Sequence, residues 1–345
     1  LLKLFDLLDF SPFLGLLLEP YHDSGPGRPY YSPVAMIKAL MLQCFMRIPS
    51  ERALAEELAC SRDYRRICGF RRCTPSRGCF TYFRRERMGE ERFKKAFEGM
   101  VMQAIALGAV KGYVVAVDST AFKAYSARDA TNKRGKSDPD ADVGRAGRTY
   151  ILGYRVHLAC VKGDLPLAFT VQPISRNDKL FYKQLLEDSW KMGVRFRVVA
   201  GDRQYDSAEL RQWTKEAFKA EAAIPTIHGK GDKHVKGIRV DSKFRVTGPK
   251  RFVKAYHESG HCRFASLDET AKISLGKEIL VARLCAERIF KKLKRQLNLE
   301  NHHYRGLANV TIHACITLMC VLAVIIASYK AGKPKKAGSI RYWTA

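Results

Sequence analysis

The sequence predicts an α/β protein: a mixed sheet flanked by helices, interrupted by a β-rich insertion and preceded by an all-α, helix-turn-helix-like region. Three observations lead there. Residues 113–120 (YVVAVDST) are an apolar, β-branched run that meets its first charge at Asp118, the pattern of a strand buried on both faces. After it, strand and helix patterns follow in the order strand, hairpin, helix, strand, helix. Before it, residues 1–108 hold only short helical periods separated by Pro, Ser and Gly breaks. At 345 residues the chain fits about two domains. They are placed at 1–108 and 109–330, with the insertion at about 226–275 and a basic tail at 331–345.

The composition, 46% hydrophobic and 28% charged, is that of a globular protein. The charge balance is unusual: 61 Lys and Arg against 34 Asp and Glu give +27. That surplus favours a polyanionic partner, most simply nucleic acid, over a small metabolite. A membrane surface and solvated basic faces are the competing readings. Cys60, Cys68, Cys73 and Cys79 cluster without the spacing of a zinc knuckle, and His257, His261 and Cys262 read as a polar loop with a weak metal hint. No secretory signal is visible, which points to a reducing, cytoplasmic and nucleoid-associated setting. The chain opens Leu1-Leu2-Lys3 with no Met, as a sequence lacking its natural start would.

Residues 1–31 mix apolar runs with Pro12, Pro20, Gly25, Pro26 and Gly27, which predicts one or two short helices and then a loop. Ser32 and Pro33 start a helix over 34–46, Ser as cap and Pro in the first turn where no N–H is needed. It is apolar almost all round, so it is the core of the helical region. Ser50 caps a second helix over 51–59, and Ser61 begins a third that ends near Gly69. Thr74-Pro75-Ser76 opens a helix over 77–87, where Arg77, Arg84, Arg85 and Arg87 are interleaved with Phe80, Tyr82 and Phe83. Short helices, tight turns and a basic, aromatic last helix fit a DNA-binding unit with Arg77, Arg84 and Arg85 as contacts. A plain bundle with solvated arginines is the rival. A helix over 91–107 leads into the Asp118 strand.

Beyond Asp118, residues 128–148 are rich in Asp, Lys, Arg and Gly and read as a mobile loop beside the site. Strands over 150–161 and 165–171 are joined by the turn Lys162-Gly163-Asp164. Asn177-Asp178 caps a helix running to about Lys191. The next apolar strand, 196–200, also ends in a carboxylate, Asp202, followed by a helix to about Lys219 and a strand over 222–224. Residues 226–275 hold short alternating runs, Gly pairs and many basic residues, the β-rich insertion. Helices resume over 277–297 and about 305–330. The second is apolar over 312–327, shorter than the ~20 residues of a membrane span, so it reads as a buried core helix with no membrane partner. The tail over 330–336 is basic and frayed.

Taken alone, Asp118 reads first as a solvated strand-end or capping residue. The element order supplies partners, because it lets the two Asp strands lie side by side. Glu287 lies at the edge of an apolar stripe of Ile279, Ala282, Ala286, Phe290, Leu293 and Leu297. Arg283 is one turn before it and Lys294 two turns after, on the same face and at an exposed edge. An ordinary i,i+4 Arg–Glu pair on a solvated helix is the rival here. If Asp118, Asp202 and Glu287 converge, these hard oxygen donors select Mg²⁺ or Mn²⁺, as a pair of ions. Such ions activate a water or a 3′-hydroxyl for in-line attack at phosphorus. Arg283, Lys294, Arg288 and Lys291 are the DNA contacts expected on this helix.

These residues resemble the DDE transposases of bacterial insertion sequences, in the group marked by Tyr-x2-Arg-x3-Glu-x6-Lys. Arg283-x3-Glu287-x6-Lys294 has that spacing, and Leu280 stands at the Tyr position. The stretches at Val117-Asp118-Ser119-Thr120, Asn177-Asp178, Gly201-Asp202, Tyr205-Asp206 and Tyr304-Arg305-Gly306 are also similar to the family pattern, as is the region from Gly27-Arg28-Pro29 to Arg84. The resemblance covers nearly the whole chain. It implies an RNase H-like catalytic core, split by a β-rich insertion before the helix bearing the Glu. It implies Asp118, Asp202 and Glu287 as the metal-binding triad for transposon-end cleavage and strand transfer. The implied partners are double-stranded DNA, at terminal inverted repeats and at the target, and a second copy of the chain in a homodimeric synaptic complex. A metal-dependent nuclease of the same fold, which hydrolyses without joining, and a DNA-binding relic with a silent triad are the alternatives.

Overall fold

The computed structural model describes residues 1–21, 30–71, 73–128, 137–227, 237–248, 253–256, 262–265 and 269–344. Two short helices, α1 (Leu2–Asp6) and α2 (Leu14–Leu18), turn Leu4, Phe5 and Leu17 into the core. In α3 (Pro33–Phe45) the proline sets the start, and Ser32 makes no side-chain cap bond. Ser50 and Ser61 do cap α4 (Glu51–Cys60) and α5 (Arg62–Cys68), their hydroxyls accepting from the Ala53 and Tyr64 amides. Gly69, at φ +90°, closes α5 in the left-handed conformation that glycine adopts without strain. Ser76 caps α6 (Arg77–Tyr82), which widens into a π-helical turn over Phe83–Met88 before α7 (Gly89–Ala106).

The sheet follows. Its strands are β1 (Lys111–Lys123), β2 (Asp142–Ala146), β3 (Thr149–Lys162) and β4 (Leu165–Pro173), then β5 (Val198–Gly201) and β6 (Glu221–Ala223) after the helices α8 (Lys179–Lys191) and α9 (Ala208–Phe218) respectively. The order is β2-β3-β1-β5-β6, with β4 also paired to β3. β1 runs antiparallel to β3 and parallel to β5, so the apolar run of 113–120 is central, as its pattern predicts. Gly153 lets β3 approach β1 closely, since a Cβ there would collide with the Phe122 carbonyl. Gly163 and Asp164, at φ +100° and +59°, form the two-residue hairpin turn between β3 and β4.

The expectation of a mobile loop over 128–148 is corrected in part. Residues 142–146 form the edge strand β2, with Val143 opposite Leu152 and Gly144 opposite Ile151, turning at Gly147 with φ +63°. Charged residues suit an edge strand, which is why composition alone read it as a loop. Residues 129–136 lie outside the described residues. The expected β-rich insertion contains two small antiparallel ladders, β7 (Arg239–Val240) with β8 (Val246–Gly248) and β9 (Val253–Tyr256) with β10 (Cys262–Ala265). His257 and His261 lie outside the described residues, as does the side chain of Cys262.

Helix α10 (Glu269–Arg295) begins about two turns earlier than its apolar stripe suggests. Helix α11 (Leu307–Lys330) is long and apolar enough to cross a membrane, yet its whole apolar window is buried inside the fold. It packs against α7, α3 and β4. Phe97 of α7 meets Phe169 of β4 edge-on, with ring centroids 5.0 Å apart. The helical region and the sheet therefore share one continuous hydrophobic core built round α11. The tail does not fray: α12 (Ile340–Thr344) buries Ile340 and Trp343, and the Trp343 indole donates to Ser328 Oγ at 3.0 Å. Two apolar residues one helical turn apart give it a docking face that its lysines obscure in the sequence.

Candidate active site

The register of β1 and β5 sets the site. Val117 lies opposite Gly201 in the last pair of the parallel register, so Asp118 and Asp202 follow side by side where that pairing ends, β5 stopping at Gly201 and β1 running on to Lys123 against β3. Asp118 is only 9% exposed. Its Oδ1 accepts from the Ser119 amide at 2.9 Å, and its Oδ2 is 3.0 Å from Arg283 Nη1. Burial raises its carboxyl to about 6; Arg283 and the Ser119 amide oppose the rise, and the Asp202 charge adds to it. Asp202 is half-buried and accepts from the Gln204 amide at 3.0 Å, capping the short turn Arg203–Tyr205.

A third carboxylate joins these two from α8. Asp178 occupies the cap position of that helix without a side-chain cap bond, and Asn177 Oδ1 accepts from the Lys179 amide at 3.0 Å in its place. Asp178 turns inward instead, where its Oδ2 accepts from Ser119 Oγ at 2.9 Å and from Arg155 Nη1 at 3.3 Å. Burial raises the Asp178 carboxyl, Arg155 opposes this, and the Asp202 charge contributes to it. His157 lies 3.6 Å from Asp178 Oδ1, but burial lowers its ring to about 3, so it stays neutral and forms no ion pair. Tyr205 is fully buried beside all three carboxylates, whose charges reinforce burial in pushing its phenol up. Sequence reading missed Asp178 because an Asn-Asp pair before a helix looks like a cap. Ser119, which holds it, lies within the Asp118 stretch, and Arg155 carries no signal of its own.

Helix α10 lies along β1 and presents Arg283, Glu287 and Lys294 on one face. Arg283 also donates to the Val117 carbonyl at 3.2 Å, and Lys294 donates to the Ala121 carbonyl and pairs with Glu300 at 3.0 Å. The expected exposed edge is corrected for Arg283, which is 8% exposed because its guanidinium neutralises a buried carboxylate. Lys294 is half-buried. Glu287 is exposed between them on the helix and forms no ion pair with Arg283, which is engaged by Asp118. Among the described residues, no three His, Cys, Asp or Glu side chains stand close enough together to cage a metal ion. The oxygen donors at the strand ends have the chemistry of a hard divalent cation site, with the Arg283 guanidinium as the cation now beside Asp118.

Beside Asp178 a cavity of about 1060 Å³ opens between Ser119, Gly144, Arg155, Arg176, Gln204 and Lys294. Its cations suit a polyanion running past the acidic cluster. Arg288 faces away from it, paired with Asp164 Oδ1 at 2.8 Å, while buried Lys292 takes Asp164 Oδ2 at 2.7 Å. Lys291 is exposed. Leu280, with Phe244, Val246 and Ile273, lines a separate, largely apolar pocket of about 450 Å³.

Of the arginines expected on the basic helix, Arg77 and Arg85 are exposed. Arg84 is not: it is 3% exposed, bonds Glu51 Oε1 at 2.6 Å and Asn309 Oδ1 at 2.7 Å, and stacks over the Tyr304 ring at 4.3 Å. Successive helical residues lie about 100° apart, and Arg84 falls one turn after buried Phe80, on the inward face, while Arg85 turns outward.

Two families match the chain. Residues 110–323 match the family described as Transposase DDE domain, and residues 1–86 match the family described as Transposase domain (DUF772). No curated protein matches it.

Proposed function

We propose that this chain, which belongs to the transposase DDE-domain family, cleaves the ends of an insertion sequence and joins them to target DNA in a metal-dependent reaction. The observation that carries the proposal is the placement of Asp118 and Asp202 side by side where the parallel pairing of β1 and β5 ends. A mixed sheet with antiparallel β3 and β4 on one side of β1 and parallel β5 and β6 on the other supports an RNase H-like reading of the core. On this reading Asp118, Asp202 and Glu287 would hold two Mg²⁺ or Mn²⁺ ions, which would supply activation of the attacking oxygen and stabilisation of the leaving one. Arg283 neutralises Asp118 in the metal-free protein. Asp178, held by Ser119 and Arg155, adds negative charge at the rim and orients what binds there.

The polyanion is double-stranded DNA, first the terminal inverted repeats and then the target. Lys294, Lys291, Arg155 and Arg176 face its phosphates, and α4 to α6 act as a helix-turn-helix-like contact. A homodimer would hold two ends in one synaptic complex, in the cytoplasm at the nucleoid. The test is incubation of the full chain with a plasmid carrying the DNA that flanks its gene, with Mg²⁺ or Mn²⁺. A transposase yields cut ends and joined products, a nuclease yields cut ends alone, and a binding relic yields neither.

A further inference from the structure

A second concave site lies where the helical region meets the loop before α11. A pocket of about 550 Å³ is lined by Arg52 of α4, Arg77 and Arg85 beside α6, Arg84, and Arg305 with Tyr125 from the other half of the chain. Five arginines there face one carboxylate, Glu51, and that carboxylate is already taken by Arg84 at 2.6 Å and by the Thr81 hydroxyl. Arg52, Arg77 and Arg85 are exposed and make no ion pair among the described residues. Like charges so placed raise the local positive potential, which draws a concentrated anion.

The walls are built to hold guanidinium groups in place. Arg84 stacks on Tyr304 at 4.3 Å, Arg305 stacks on Tyr125 at 4.6 Å, and Tyr125 lies against His303 with rings 4.6 Å apart. Both guanidiniums are engaged at their edges as well, Arg84 by Glu51 and Asn309 and Arg305 by the Ser137 hydroxyl, so they fix the wall and its charge, while the exposed Arg52, Arg77 and Arg85 reach a phosphate. Position matters as well. Tyr125 follows β1 directly, and Lys294 ties the strand at Ala121 to Glu300 in the loop that leads to His303. Tyr125 is seven positions beyond Asp118, at most about 23 Å of extended chain, which is less than one turn of duplex DNA.

We propose that this pocket is a composite phosphodiester-binding site, assembled from both halves of the chain, that grips the DNA backbone within one helical turn of the acidic cluster. The inference rests on the transposase reading and adds where the duplex is held. It also means that the helical region does not bind DNA as a free-standing module.

The test uses the full chain, a labelled DNA duplex and EDTA, so that no step depends on metal or cleavage. Affinity is measured across a salt series for the unmutated chain, for Arg77→Gln with Arg85→Gln, for Arg305→Gln, and for a control pair, Lys335→Gln with Lys336→Gln, which removes the same charge from the exposed tail. Thermal melts confirm that each variant folds. The pocket pair should lose on the order of tenfold in affinity and flatten the log–log salt slope by about 0.9 for each phosphate released. Arg305→Gln should act in the same direction and combine non-additively with the Arg77 and Arg85 changes, while the control pair shifts affinity far less. Equal losses from the pocket and control pairs would mean that only bulk charge matters, and would overturn the site. Failure of the unmutated chain to bind DNA at low salt would overturn the transposase reading and this inference together.

Discussion

Asp118→Asn is the substitution whose effect the structure fixes most closely. The site raises the Asp118 carboxyl from 3.8 to about 6, so holding it ionised at neutral pH costs the fold about 3 kcal/mol at ~1.36 kcal/mol per tenfold. That figure already contains the attraction of Arg283. Between the two values the native chain keeps a proton that the unfolded chain has lost, so this residue's contribution to stability falls as pH rises from about 4 to 6. Asn keeps the shape and removes the charge, although it leaves the Arg283 guanidinium less well neutralised. The variant should therefore be more stable by ~1–3 kcal/mol at pH 7.5 without metal, and the gain should vanish towards pH 4. Urea unfolding of both chains in EDTA across that range reads it directly. A loss of about 1 kcal/mol that does not change with pH is what a capping Asp predicts, and would falsify the buried acidic site.

Other outcomes follow from the same contacts. Arg283→Ala strips a buried carboxylate of its partner and should cost ~3–5 kcal/mol at neutral pH by urea unfolding, where an exposed arginine would cost ~0.5 or less. Arg84→Ala should destabilise by a similar amount through Glu51 and Asn309, while Arg85→Ala stays within ~0.5 kcal/mol. Trp343→Ala should cost ~3 kcal/mol because α12 docks on α11; an unchanged melting temperature would show that the tail is free after all. Mg²⁺ or Mn²⁺ should raise the melting temperature of the unmutated chain, and that rise should shrink in Asp118→Asn and Asp202→Asn; an equal rise in all three chains would place the ion elsewhere.

Much of the fold was legible because periodicity and turn chemistry agreed. The charge-free run at 113–117 specified a central strand, Gly163-Asp164 specified its hairpin partner, and Ser50, Ser61 and Ser76 marked the helix starts. The adjacency of Asp118 and Asp202 followed from the element order. What stayed hidden depended on long-range contacts. Arg84 and Arg85 looked equivalent in a basic run, because the partners that bury Arg84, Glu51 and Asn309, are 33 and 225 positions away. Arg283 looked like a solvated helix residue because its partner is 165 positions away in the sequence, at Asp118. Asp178 carried the signature of a cap, and β2 the composition of a loop. The arginine pocket could not be seen from either half of the chain, since neither half contains it.

The central claim, that the acidic residues of this sheet and helix drive strand chemistry on DNA, is tested most directly in one gel. A supercoiled plasmid carrying the DNA that flanks the gene is incubated with Mg²⁺ or Mn²⁺ and the unmutated chain, Asp118→Asn, Asp202→Asn or Glu287→Gln. The account predicts nicked, cut and joined DNA with the unmutated chain, and loss of these products by a factor of ~10² or more in each variant, with each still folded and still binding the duplex. Products that persist in all three variants, or that never form with either metal although the duplex is bound, would contradict it.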